Sequence, residues 1–343
     1  MRRRARQGHA LRRIVVVAAA ALAAAGCGGE STSRDDHDAR IGVVIKGLDN
    51  PFFAAMKDGV MAAAREHNAD VKLSAATGLD DTAGQASKLE DLVAQGMGCY
   101  VVNPINQVNL VSALSHIPHS TPIVNIDSPV GAADARALGI KISTYIGTDN
   151  GAAGELAAQT MARLVGPDAS VGVIGGISGD ATSAARISGF RRGARGHFDP
   201  LEAVSADWEE HEAMVAARSL LRSEPGVEGF FAANDQMALG VARAVAAAGR
   251  KGRVAIVGVD GIEEALDAVE RGAMSATVSQ YPYTIGSLGV EACLAATSGK
   301  PVPRKVDAPI QVVTRSNVAR AKAEFPQPVE PFKSPFAAVL DGT

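Results

Sequence analysis

Ile41-Gly42-Val43-Val44-Ile45 runs directly into Lys46-Gly47-Leu48-Asp49-Asn50-Pro51-Phe52-Phe53. The first five residues form an apolar run that reads as a buried strand. Asn50 is a good N-cap, because its side-chain oxygen can accept from the first free helix amides. Pro51 suits the first helical position, where its missing N–H costs nothing. A helical pattern follows to residue 67. The turn between strand and helix therefore sits beyond the carboxyl end of a strand, where open parallel α/β sheets bind ligands. An amide pairs with hydroxyls and an aromatic ring covers C–H faces, so Asn50 with Phe52 and Phe53 suits a polyhydroxylated ligand. Neighbouring helix positions point about 100° apart, so one phenylalanine can enter the core while the other faces outward.

The same alternation continues along the chain. Strand-like runs cover 71–75, 99–103, 122–126 and 144–146, with helical runs at 82–95 and 108–116 between them. A second series opens with a helix over 152–165, behind the capping pair Asp149-Asn150. Strands at 171–175, 202–205, 229–232 and 253–257 follow, with helices at 183–197, 210–223, 236–248 and 263–271. Strands alternating with helices predict parallel sheets wound by right-handed crossovers. Two series predict an α/β protein of two doubly wound, Rossmann-like lobes. Ala- and Gly-rich helix faces predict close helix–sheet packing. The segment 323–343, with Pro326, Pro328, Pro331 and Pro335, reads as a peripheral tail.

The chain has 343 residues, 47% of them hydrophobic, enough to fill two domains of ordinary size. Only 4% are aromatic, so each ring placed at a helix start or loop carries information. The net charge of −3 comes without a basic patch interleaved with aromatics, which argues against a nucleic-acid partner. Residues 1–13 are strongly basic, and 14–25 are apolar but too short to span a bilayer. Leu22-Ala23-Ala24-Ala25-Gly26-Cys27 resembles a bacterial lipoprotein signal, whose cleavage leaves Cys27 as a lipidated N-terminus. Residues 1–27 are then a signal segment and 28–40 a polar tether. Arg12-Arg13 hints weakly at twin-arginine export. Cys99 lies in a strand-like run and Cys293 in a helical one; apolar settings so far apart suggest buried free thiols rather than a bridge, although export permits a disulfide.

Catalytic motifs are missing. Gly42 to Gly47 lacks the glycine spacing of a dinucleotide turn. Val173-Ile174-Gly175-Gly176-Ile177-Ser178-Gly179 lacks both G-x-G-x-x-G and a phosphate-loop Lys. No G-x-S-x-G elbow occurs. His116 and His119 flank Pro118 and read as loop residues rather than metal ligands. Neither a cofactor nor a metal is expected, nor an enzyme. What recurs is a polar group at the end of strand after strand: Lys46 and Asn50, Asn103, Asp127, Arg186 after a glycine-rich turn, Asp207-Trp208, Asn234-Asp235, Asp260 and Gln280. Singly these are ordinary caps and turn residues. Together they ring two sheet edges with acids, amides, an Arg fork and rings, an inventory suited to a neutral polyol or sugar.

Those residues resemble a known family. Asn50-Pro51-Phe52-Phe53, Asn103-Pro104, Thr182-Ser183-Ala184-Ala185-Arg186, Ala206-Asp207-Trp208, Asn234-Asp235-Gln236-Met237-Ala238-Leu239-Gly240, Val257-Gly258-Val259-Asp260-Gly261 and Ala276-Thr277-Val278-Ser279-Gln280 are similar, in order, to motifs of the periplasmic substrate-binding proteins of the ribose and allose type. These serve ABC transporters and have the type I periplasmic binding protein fold. The resemblance implies a three-strand hinge, crossing near 147–148, at Gln280 and near 309–310. It divides the chain into a lobe of 41–147 plus 281–309 and a lobe of 148–280 plus 310–322. It implies ligand contacts from Lys46, Asn50, Phe52, Phe53, Asn103, Asp127, Arg186, Trp208, Asn234, Asp260 and Gln280. Ribose binders carry Arg where Ser128 stands and an aromatic where Val259 stands, whereas Lys46 and Trp208 look like the allose type. A hexose or sugar alcohol is therefore expected over ribose. The expected partners are an ABC permease and, through the lipid anchor, the membrane; the receptor is expected to be a monomer exported to the cell envelope. An alternative is a sensory component that reports occupancy to a chemoreceptor or sensor kinase. Sugar-responsive repressors share the core but begin with a helix-turn-helix, where this chain has its signal segment.

Overall fold

A computed structural model describes residues 40–340. Cys27 and the tether up to residue 39 lie outside the described residues. The first series is β1 (Arg40–Ile45), α1 (Pro51–Glu66), β2 (Asp70–Ala75), α2 (Thr82–Ala94), β3 (Cys99–Val102), α3 (Val111–Ser115), β4 (Ile123–Ile126), α4 (Ala132–Ala137) and β5 (Thr144–Gly147). The second is α5 (Asn150–Ala162), β6 (Ser170–Gly175), α6 (Ala181–Ala194), β7 (Asp199–Ser205), α7 (Glu210–Ser223), β8 (Gly229–Ala232), α8 (Asp235–Ala247), β9 (Ala255–Asp260), α9 (Glu263–Glu270) and β10 (Ala276–Ser279). The chain closes with α10 (Pro282–Thr297), β11 (Lys305–Asp307), β12 (Gln311–Thr314), α11 (Val318–Glu324) and α12 (Ala337–Leu340).

Two six-stranded sheets result, ordered β11-β5-β4-β3-β1-β2 and β12-β10-β9-β8-β6-β7. The first is wholly parallel. The second is parallel except for β12, which runs antiparallel to β10 with Ala276 opposite Thr314. Each sheet reverses its winding once, β1 standing beside both β2 and β3, and β6 beside both β7 and β8. A crevice opens at such a reversal, beyond the strands' carboxyl ends. The chain passes between the sheets after β5, after β10 and between β11 and β12.

The helices begin where side chains can cap them. Asn50 accepts from the Phe52 amide at 2.9 Å, Asp149 from Ala152 at 2.9 Å, Asp180 from Ser183 at 2.8 Å and Asn234 from Met237 at 2.9 Å. Helices α5 and α6 start two residues earlier than the apolar pattern suggests, because the cap and not the first apolar residue sets the boundary. Helix α4 carries only one buried residue and gave no periodic signal.

Three apolar clusters hold the fold. One fills the second lobe; the other two cover opposite faces of the first sheet, one under α1 and α10 and the other under α2 and α3. The glycines on helix faces mostly serve helix–helix contact, not the helix–sheet contact expected from sequence. A Cβ on Gly59 of α1 would stand 1.9 Å from the Tyr283 carbonyl of α10, and one on Gly154 of α5 would stand 2.0 Å from the Arg186 carbonyl of α6.

Two further expectations are corrected. Cys99 and Cys293 form a disulfide, with Cα atoms 5.8 Å apart. Helix α10 lies across β3, and only that register brings the two thiols together; apolar surroundings alone do not reveal it. The proline-rich C-terminal segment is also not merely peripheral. Val329 is buried in the core of the second lobe and Phe336 in that of the first. Its prolines mask two apolar anchors.

Candidate ligand-binding cleft

On the first lobe, the turn after β1 presents Lys46, Asn50, Phe52 and Phe53. Both phenylalanines belong to the core cluster and both line the cleft, edge to face with centroids 5.3 Å apart. They are at once core and wall, so a choice between the two is unnecessary. Lys46 stands 5.2 Å from the centre of the Phe53 ring, an attractive placement for a cation. Its ammonium donates to Ser128 Oγ at 2.6 Å and pairs with Asp127 at 3.6 Å. Asp127 holds a positive φ of 58° just past β4, and Asn125 fixes this loop by donating to the Val102 and Ser128 carbonyls and accepting from the Val130 amide. The loop after β3 is held in the same manner. Gln85 of α2, fully buried, donates to the Asn103 carbonyl and accepts from the Ile105 amide, each at 2.9 Å.

On the second lobe, Arg186 projects from the second turn of α6. Its guanidinium donates to Asn150 Oδ1 at 2.8 Å, the Ala233 carbonyl at 2.5 Å and Asp260 Oδ1 at 3.1 Å. Gln280 also donates to Asp260 Oδ1, at 2.6 Å. Trp208 is placed by two successive left-handed residues, Asp207 at φ 51° and Trp208 at φ 70°. Its indole lies so close to Gly176 that a Cβ there would sit 2.2 Å from the ring. Asn234 caps α8 and donates to the Trp208 carbonyl at 3.4 Å.

These surfaces face one cleft. Nine of the residues inferred from sequence line it together: Lys46, Asn50, Phe52, Phe53, Asp127, Arg186, Trp208, Asn234 and Asp260. Asn103 and Gln280 do not line it; they are buried behind it. Asn103 Oδ1 and Gln280 Oε1 lack a hydrogen-bond partner among the described residues. Val259 is fully buried in β9, so the missing ring there does not shape the cleft wall. Sequence reading missed Leu79, Ile105, Ser128, Ile177, Asp180 and Thr182 as lining residues. Thr182 opens the motif that ends at Arg186 and Ser128 stands where ribose binders carry Arg, and those positions were the available signal. A wider groove on the second lobe, beside Glu228, Val254 and Ser275, lies at the amino ends of β8, β9 and β10, the edge opposite to the one where such sheets bind ligands.

Both cations of the cleft are paired, and Asp180 adds a third carboxylate to its lining. Each lobe supplies one cation already matched by one carboxylate, Lys46 with Asp127 and Arg186 with Asp260. Burial pushes the Asp260 carboxyl up to about 6, outweighing the downward pull of Arg186 and Gln280. Asp235 behind it is pushed to about 7, by burial first and then by the Asp260 charge. Among the described residues, no group of three or more His, Cys, Asp or Glu is placed to hold a metal ion.

Comparison with known proteins agrees with this geometry. Residues 41–301 match the model of the periplasmic binding protein domain. The chain is 31% identical over 285 residues to the ribose import binding protein RbsB of Bacillus subtilis (strain 168), covering 83% of this chain and 90% of that protein. It is 34% identical over 272 residues to the D-allose-binding periplasmic protein of Escherichia coli (strain K12), covering 77% of this chain and 87% of that one. A periplasmic solute binding protein of an ABC transporter from Actinobacillus succinogenes 130z, solved with bound D-allose, superposes with a TM-score of 0.77 at 28% identity, covering 82% of this chain and 99% of that one. Each of these is named as a binding protein, and this chain is likewise not an enzyme. A doubly wound pair of lobes with a lined cleft between them, and relatives matched over most of their length, make this chain a member of the periplasmic binding protein family, of the ribose and allose type.

Proposed function

We propose that this protein captures a neutral hexose or sugar alcohol between its lobes and delivers it to an ABC-type permease. The observation that carries the reading is the pairing of Lys46 with Asp127 on one wall and Arg186 with Asp260 on the other, with Phe52 and Phe53 opposite Trp208. Matched charges leave no net attraction for a phosphate ester. They still offer fixed donors and acceptors to hydroxyls. Asn50 and Asn234, which line the same cleft, extend that set. Ser128 beneath Lys46 is smaller than the arginine of ribose binders, which favours a larger ligand than ribose. The D-allose bound by the structural relative is of that size class.

The moving bodies in this reading are 41–147 plus 281–309 and 148–280 plus 310–322, rotating about the three crossings. The mature protein is a monomer held at the outer face of the cytoplasmic membrane by a lipid on Cys27. The disulfide supports export, since oxidising compartments preserve such bonds. No helix of the described residues is long and apolar enough to cross a membrane. A thermal-shift panel of pentoses, hexoses and alditols tests the ligand class, because a ligand that binds only the folded state raises the midpoint. A hexose or alditol is expected to give the largest shift; a panel in which no compound shifts the midpoint overturns the reading. Labelled palmitate incorporated by the wild type and lost in Cys27→Ala tests the anchor; equal labelling of both contradicts it.

A further inference from the structure

Asp235 is the first residue of α8, fully buried, and does not line the cleft. One of its carboxylate oxygens accepts from the Gly261 amide at 2.6 Å and the Ile262 amide at 3.1 Å; the other accepts from Thr277 Oγ1 at 2.8 Å. A single side chain thus ties the start of α8, the turn after β9 and the middle of β10. The turn it holds is an unusual one. Asp260 has φ 131° and Gly261 φ 75°, both in the region L side chains rarely adopt. Room for the grip is built in, since a Cβ on Gly258 would stand 2.2 Å from Asp235 Oδ1. Such a turn persists only where its surroundings over-determine it.

We propose that Asp235 is the positioning residue of the ligand site: by holding the two amides that follow Asp260, it sets where the Asp260 carboxylate stands. The inference rests on the reading of the cleft as a polyol site, but part of its test needs no ligand. Two carboxyls lie on either side of one turn, and burial raises both, to about 7 and about 6. The other charged groups facing Asp260 are Arg186 from α6, which favours its ionised form, and Asp127 from the first lobe, which opposes it. Asp235→Asn keeps an oxygen for the two amides and turns an N–H toward Thr277 Oγ1, which can accept it. The grip survives and the charge is removed. Asp235→Ala removes both.

Two measurements test this. Carboxyl-carbon NMR titration of Asp260, assigned by its loss in Asp260→Asn, is run on free wild type, Asp235→Asn and Asp235→Ala. Because Asp235 is the weaker acid and still protonated where Asp260 titrates, the Asp260 midpoint is expected to stay within about 0.3 pH unit of wild type in Asp235→Asn and to move further in Asp235→Ala, where the turn no longer holds the carboxylate against Arg186 and Gln280; no movement in Asp235→Ala, or equal movement in both variants, overturns the positioning role, whether or not any sugar binds. Affinity for the sugar with the largest thermal shift is then read from Trp208 emission between about pH 5 and about pH 8. At the alkaline end the affinity loss is expected to stay below about fivefold for Asn and to exceed about fiftyfold for Ala, the scale of a misplaced charged acceptor. The acid limb, set by Asp260, is expected to coincide in Asn and wild type. Equal losses in Asn and Ala overturn the positioning role. A protein that binds no sugar but whose Asp260 midpoint moves in Asp235→Ala and not in Asp235→Asn overturns the ligand reading alone.

Discussion

Asp260 takes hydrogen bonds from Arg186 and Gln280 at one oxygen, 3.1 and 2.6 Å away. Removing either member of the Arg186–Asp260 pair leaves its partner as an uncompensated buried charge. Arg186→Ala is therefore expected to cost about 2–5 kcal/mol of sugar affinity, measured by calorimetry; affinity within about twofold of wild type contradicts the site. Gly176 offers a finer test. A methyl group there must displace the Trp208 ring, and Trp208 is the only tryptophan of the chain. Gly176→Ala is expected to shift the emission maximum of the free protein and weaken sugar binding, at about 1–3 kcal/mol of overpacking; unaltered emission rules that packing out. The buried acids also set a pH dependence of stability. Both folded-state values lie above the ordinary 3.8, so protonation favours folding. Their contribution is fully present below about pH 4 and lost as the pH rises through about 6 and about 7. Asp235→Asn is expected to gain melting temperature relative to wild type across that window, and a difference independent of pH contradicts it. The site residues that could be read from sequence were those standing at strand ends in recognisable motifs. Those that hold the loops from behind, Gln85, Asn125 and Asp235, gave no such signal as holders. A buried polar side chain announces itself only through the amides it meets, and those lie 20 or more residues away for Gln85 and Asp235.

Among elements, β1 and α1 were legible because apolar run, cap, proline and helical pattern agree over one short stretch. Strand β11 has three residues with alternate burial, and β12 runs against its neighbours; neither length nor period marks them. The pairing of α10 with β3 was equally silent, yet it carries the strongest covalent constraint of the fold. The Cys99–Cys293 bond closes a loop of 194 residues that contains α5 through β10 in full. The first lobe is built from two separated pieces of chain, and this bond joins them whatever the second lobe does. Loop-closure entropy for that length is about 5 kcal/mol, an upper figure for its effect. Cys99→Ser is expected to lower the melting midpoint by on the order of 10 °C, checked by calorimetry of oxidised wild type and variant. Equal midpoints show that the bond constrains nothing that matters for unfolding.

For the whole molecule, the alternation of strands and helices conveyed the class, and the order of motifs along the chain conveyed the family. The near-identical strand order of the two sheets was not visible, because it is a likeness of winding without a likeness of residues. The cleft follows from that winding. Each sheet reverses once, each reversal opens a crevice at the carboxyl ends of its strands, and one cleft is lined from both. The C-terminal segment adds a fourth connection beside the three crossings, anchored by Val329 in one lobe and Phe336 in the other. The central claim is that a sugar is enclosed between two bodies that move. Single-molecule energy transfer between dyes at Leu138→Cys and Val215→Cys, exposed positions of the first and second lobes, measures it directly. The sugar that raises the melting midpoint should produce a discrete change in transfer, saturating at the same concentration as the change in Trp208 emission. Saturable binding of that sugar with no change in transfer contradicts capture by closure.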